Sequence, residues 1–214
     1  MPNPACSSPT REGPTDARVG PAVSLSPELH VRLADGGRLH LRPLRAGESG
    51  PLLAVFEQMS SESRASRYLT GMTQLPQRLR ERLVDLDGVH RVAWLASLPT
   101  GPVGIARYAE AERGTAEIAF EVVDEHQGRG IGGVLLDTLT AAAWNNGLRR
   151  VRATVLPGSS RSLRLIAPLG IPLRLCDGVL EGEGSLRLLD PPLVDRTALP
   201  ASGCRETVDD PDEG

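Results

Sequence analysis

The chain contains no lysine; all 24 basic residues among its 214 are arginine. That absence excludes an internal Schiff base and any self-modification on a lysine side chain. It also removes the Gly-Lys-Ser/Thr ending with which a P-loop holds a triphosphate. Aromatic residues make up 3% of the chain and hydrophobic residues 40%, so a core of ordinary size must be built on aliphatics. Cys6, Cys176 and Cys204 are far apart, odd in number and without C-x-x-C spacing; neither a disulfide framework nor a metal site is expected. No apolar run approaches the ~18 residues of a membrane span. Met1-Pro2-Asn3-Pro4-Ala5-Cys6 is too polar to begin a signal peptide. A formal charge of −3 gives no electrostatic reason to expect nucleic acid or an anionic membrane as partner. The expected compartment is the cytoplasm.

Residues 1–24 are dense in Pro, Ser, Gly and Thr and are expected to be a disordered N-terminal segment. Residues 191–214 begin Pro191-Pro192, finish Asp209-Asp210-Pro211-Asp212-Glu213-Gly214, and read as a disordered acidic tail. The folded domain is expected over residues 25–190, and its pattern is mixed α and β. Val31 and Leu33, then Leu39 and Leu41, alternate with polar residues around Ala34-Asp35-Gly36-Gly37, a hairpin signal. Helices are predicted over Pro51 to Met59, Ser61 to Arg67 and Pro76 to Leu86. Strands follow over His90 to Ser97, Val103 to Ala109 and Thr115 to Val123. Ile131, Val134, Leu135, Leu139, Ala142 and Ala143 then trace a helical stripe that Gly147 closes. Val151 to Leu156 reads as a strand and Ser160 to Pro168 as a short helix. Leu173 to Cys176 with Gly184 to Leu189 completes the domain as a terminal hairpin.

Between a strand and a helix lies Gln127-Gly128-Arg129-Gly130-Ile131-Gly132, followed by Gly133. Unpaired N–H groups of a first helical turn and the positive end of its dipole make such a turn an anion site, and glycines let a ligand approach the backbone closely. A dinucleotide reading, with Gly128, Gly130 and Gly133 as the three glycines, needs parallel strands and an acidic residue ~20 positions on. Arg149-Arg150-Val151-Arg152 stands there instead.

Gln-x-x-Gly-x-Gly resembles the pyrophosphate turn of the GCN5-related N-acetyltransferases (GNAT), which bind acetyl-CoA. The element order is similar to that family's fold over about residues 28 to 189. Further phrases resemble the acetyltransferase domain of bacterial Pat-type protein acetyltransferases: Leu41-Arg42-Pro43-Leu44, Ser60-Ser61-Glu62-Ser63-Arg64, Ala116-Glu117-Ile118-Ala119 and Asp124-Glu125-His126-Gln127-Gly128. The resemblance implies a GNAT α/β fold with a mostly antiparallel central sheet flanked by helices. It implies transfer of an acetyl group from acetyl-CoA to an amine, on a small molecule or a protein lysine.

Position by position, the resemblance implies that the Val123 backbone pairs with the pantetheine arm and that Gln127, Gly128, Arg129, Gly130, Ile131, Gly132 and Gly133 wrap the pyrophosphate. Arg129 would assist a phosphate or be a solvated arginine. Ser159 stands where the family commonly has a CoA-contacting asparagine; it or Ser160 contacts CoA or caps a helix. Alternation places Glu117, Ala119, Glu121 and Val123 on one strand face, away from Ile118, Phe120 and Val122. An alkylammonium with a pKa near ~10.4 must lose a proton before attacking a thioester, and a strand carboxylate is suited to take it. Glu117 occupies the place of the acidic base in Pat-type relatives; Glu121 and then Glu125 are the further candidates. Many family members use a tyrosine four residues before the glycine that closes the final helix, and here that slot holds Ile166 before Gly170. Ile166 and Ser159 leave open a second reading, a module that senses acyl-CoA without turnover. Glu57, Glu62, Glu81, Asp85 and Asp87 either attract a cationic amine or are solvated helix carboxylates.

Overall fold

Apolar alternation in the first hairpin produces two antiparallel strands, β1 (Leu29–Arg32) and β2 (Arg38–Pro43), in which Leu39 and Leu41 are completely buried. A computed structural model describes residues 27–112 and 114–196 of the chain. The expected segment 1–24 and the part of the expected tail beyond Arg196 lie outside the described residues.

Three helices follow: α1 (Ser49–Glu57), α2 (Ser61–Tyr68) and α3 (Gln77–Leu83). Ser60 caps α2, its hydroxyl accepting from the Ser63 N–H at 3.1 Å. Next come β3 (Arg91–Leu98), β4 (Gly101–Glu112) and β5 (Thr115–Val122), each antiparallel to its predecessor. The 15-residue α4 (Ile131–Asn145) leads to β6 (Arg150–Val155), which runs parallel to β5. The short α5 (Ser160–Ile166) ends where Pro168 enters a 3-10 turn over Ala167–Leu169.

The chain finishes with β7 (Leu173–Cys176) and β8 (Val179–Ser185). All eight strands form one sheet in the order β1-β2-β3-β4-β5-β6-β8-β7. The last hairpin departs from the sequence reading, which put its second strand at Gly184 to Leu189. Asp177 and Gly178, at φ +46° and +84°, make the tight two-residue connection instead. Asp-Gly is the pair that such turns favour, because both central residues need positive φ.

Each sheet face carries its own core. Val92, Trp94, Ala96, Tyr108, Ala116 and Ile118 pack with α4 on one side. Ala93, Leu95, Ile105 and Val123 pack with Leu52, Val55 and Phe56 of α1 on the other. Phe120 and Val122 join the α4 side, so Glu117, Ala119 and Glu121 point to the α1–α2 side, as alternation predicts.

The domain does not stop at residue 190. Asp137, fully buried on α4, accepts from the Val194 N–H at 2.8 Å, from the Leu193 N–H, and from Arg196 Nη2 at 2.9 Å. Residues 191–196 therefore belong to the packed structure, and Val194 enters the α4-side core. A buried carboxylate must be paired, and the pairing segment is held with it.

Candidate functional site

The β5–β6 pair is short. It covers only Thr115–Arg150, Ala116–Val151 and Glu117–Arg152, although β5 continues to Val122 and β6 to Val155. At the far end of this unpaired stretch lies the glycine turn. Gly128 and Gly130 take φ of +78° and +89°, which only glycine adopts without strain. Gly130 is the N-cap of α4 and offers its first turn no side chain. The Val134 N–H returns to the Gly130 carbonyl at 3.1 Å, leaving the N–H groups of Ile131, Gly132 and Gly133 as the helix's N-terminal donors. Gly132 has a packing reason as well, since a Cβ there would stand 3.2 Å from Leu165 Cδ1 on α5.

Side chains around the turn hold it in shape. Gln127 Nε2 donates to the Val122 carbonyl at 2.9 Å and to Ser63 Oγ at 3.3 Å. Asp124 accepts from the Ser60 N–H at 2.7 Å, the Ser60 hydroxyl at 2.8 Å and the Ser63 hydroxyl at 2.7 Å. Burial pushes the Asp124 carboxyl up, but these hydrogen bonds outweigh it and hold the group below the ordinary carboxylate range. Arg129 pairs with Asp35 at 2.6 Å and meets His126 Nδ1 at 3.1 Å, so its charge faces the β1–β2 turn. The Val123 N–H donates to the Val103 carbonyl at 2.9 Å, and its own carbonyl accepts from His126 at 3.0 Å. Ser159 occupies the N-cap position of α5 without capping it; its hydroxyl stands 2.8 Å from that of Ser66 and donates to Ser162 at 2.9 Å.

The two candidate bases have different surroundings. Glu117 is exposed on the α1–α2 side, beside the closed end of the β5–β6 gap. Glu121 has a completely covered side chain, with Arg107 Nη2 at 3.0 Å from Oε1 and the Tyr68 hydroxyl donating to Oε2 at 2.7 Å. Burial pushes the Arg107 guanidinium down from its ordinary value against the pull of Glu121. Burial also drives the Tyr68 phenol well up, with the Glu121 carboxylate adding to the effect. Glu125 is exposed on the turn.

Ile166, in the family's tyrosine slot, is 5% exposed and packed in the α4-side core. Tyr108 donates to the Val89 carbonyl and lies on that same buried side. Sequence reasoning gave no role to Arg107, Tyr68 or Ser66, and quoted Asp124 only within the phrase Asp124 to Gly128 that resembles Pat-type relatives. Ser60-x-x-Ser63 was a readable signal for a capped helix start, but nothing local points either serine at Asp124.

Residues 56–171 match the model of the GNAT acetyltransferase family, just over half of the chain. The chain is 30% identical over 137 residues to Acetyltransferase PA5475 of Pseudomonas aeruginosa, covering 62% of this chain and 73% of that protein. It is 32% identical over 159 residues to Acetyltransferase Pat of Mycolicibacterium smegmatis; the match covers 72% of this chain and only 47% of Pat. The GNAT domain of S. lividans PAT superposes with a TM-score of 0.69 at 31% identity, covering 74% of this chain and 97% of that domain. At 18% identity and a TM-score of 0.50, yncA of Salmonella typhimurium, solved with its cofactor acetyl-CoA, shares the fold; the match covers 72% of this chain and 97% of that one. The chain belongs to the GNAT family and is an N-acetyltransferase by class.

Proposed function

We propose that this chain transfers the acetyl group of acetyl-CoA to an amine by direct attack, a protein lysine being the acceptor class that the Pat resemblance implies. The observation that carries the reading is the three-residue β5–β6 pairing beside an uncapped α4 N-terminus. Such a gap leaves strand edges for the pantetheine amides, and the helix start offers donors and a positive dipole to the pyrophosphate. Arg129 is held by Asp35 and is assigned no phosphate.

Glu117 is the proposed base, because it is the strand carboxylate that solvent and an incoming ammonium reach. It takes one proton from the ammonium, and the neutral nitrogen bonds to the thioester carbon. As the carbon–sulfur bond breaks, the departing CoA thiolate takes the second proton from nitrogen, leaving the amide and free CoA thiol. Backbone N–H groups of the strand stabilise the intermediate oxyanion. Glu121 is proposed to position rather than react, since both of its oxygens are engaged. The test is thiol release from acetyl-CoA across an amine and peptide panel, with mass spectrometry of the products. Acetyl-CoA binding without thiol release from any acceptor would replace this reading with the acyl-CoA sensor.

A further inference from the structure

Two arginines and one carboxylate lie near one another at the end of α2, and their charges do not cancel. Glu121 carries one negative charge under complete cover, and Arg107, 8% exposed, pairs with it at 3.0 Å. Arg67 lies over the Tyr68 ring, its guanidinium carbon 4.7 Å from the centroid, while the Tyr68 hydroxyl reaches the other Glu121 oxygen. Arg107 has Glu121 as its carboxylate partner and also feels the like charge of Arg67.

The hydrogen bonds are incomplete in the same sense. Arg107 gives Nη1 to the Leu83 carbonyl and Nη2 to Glu121, yet its buried Nε–H has no acceptor. The buried Nε–H of Arg67 likewise has none among the described residues. Of the other arginines, Arg196 too has an unmet buried Nε–H, whereas Arg64 and Arg152 are served differently. Arg64 bonds to the carbonyls of Phe56, Glu57 and Thr73, and Arg152 pairs with Glu112 and Glu183. Buried donors left unmet are uncommon in folded proteins, and two beside one excess positive charge leave donor capacity of the kind an anion takes. Stacking on Tyr68 uses the face of the Arg67 guanidinium and leaves its edge, a planar fork that matches a carboxylate.

Arg67 is also next in the chain to a residue that reaches the expected CoA contact. The preceding Ser66 has its hydroxyl 2.8 Å from that of Ser159, the position matching the family's CoA contact. We propose that Arg67, seated above the Arg107–Glu121 pair, receives a carboxylate carried by one of the reactants. The inference rests on the acyl-transfer reading and goes beyond it: an acetyl group and a lysine side chain carry no carboxylate, so one of the two reactants differs from that pairing. The carboxylate belongs either to a dicarboxylic acyl group on the CoA thioester, such as succinyl, or to an amino-acid acceptor whose amine is acylated.

Calorimetry on the full chain separates the two sources. In the donor arm succinyl-CoA is compared with acetyl-CoA; in the acceptor arm glycine is compared with glycinamide on CoA-saturated protein. A carboxylate preference of roughly tenfold is expected in one arm, falling to about one in Arg67→Gln. Arg67→Met, which keeps the aliphatic stem on Tyr68, gives the same readout if Arg67→Gln folds poorly. No preference in either arm, or a preference that survives both substitutions, overturns the proposal. Thiol release from acetyl-CoA with a neutral amine is measured alongside; its absence sinks acyl transfer and leaves the binding ratios to decide this inference.

Discussion

The Tyr68 hydroxyl donates to Glu121 Oε2 at 2.7 Å, joining residues 53 positions apart in the chain. Through that bond the end of α2 is fastened to the strand that bears the proposed base. Arg107 completes the arrangement from β4, and together they tie α2, β4 and β5 on the sheet face that bears Glu117.

Glu117 and Glu121 are therefore expected to fail in different ways. Glu117→Gln should lower kcat by about 10²- to 10⁴-fold with little change in melting temperature. Glu121→Gln should cost about 3–5 kcal/mol of stability, because Arg107 is left buried without its counter-charge. Denaturant unfolding and steady-state kinetics on both variants check this, and the reverse pattern would move the base to Glu121.

Asp124 links pH to the attachment of α2. Its folded pKa is depressed below the ordinary value of 3.8, so its contribution is present above that value and is lost as pH falls through the lower folded one. Asp124→Asn should remove this acid-side dependence. Unfolding midpoints for both proteins between neutral pH and about pH 2 provide the comparison.

Arg129→Gln should change acetyl-CoA affinity by no more than about threefold, since Asp35 already balances the guanidinium and such exposed pairs contribute little. A loss of tenfold or more would return Arg129 to the phosphate site.

Leu69 closes α2 at φ +56° while its side chain is 46% exposed. A left-handed conformation costs an L-residue about 1–2 kcal/mol, which glycine avoids. Leu69→Gly should stabilise the fold by about 1 kcal/mol in denaturant titration.

Ending the chain at Asp190 should destabilise it by several kcal/mol, on the order of breaking a buried ion pair, because Asp137 loses Leu193, Val194 and Arg196 together. Thermal unfolding of that truncation against the full chain tests it.

Period-two alternation and glycine placement made the first hairpin, β5 and the α4 turn legible, because those signals are local. Alternation put Glu117 and Glu121 on one face correctly, yet it could not tell an exposed carboxylate from a sealed one. What covers Glu121 is Tyr68, brought from the far end of another helix. The same limit hid Asp137, whose partners arrive 56 to 59 residues later. The Asp177-Gly178 turn was a local signal passed over, and it displaced the last strand.

Helix α2 contains no buried residue. Its anchors are directional: Ser60 and Ser63 on Asp124 at one end, Ser66 on Ser159 and Tyr68 on Glu121 at the other. An apolar face tolerates sliding, whereas hydrogen bonds break when geometry changes by fractions of an ångström. Helix α2 is thus riveted at one end to the segment before the glycine turn and at the other to β5 and the start of α5, so these elements keep a common registry.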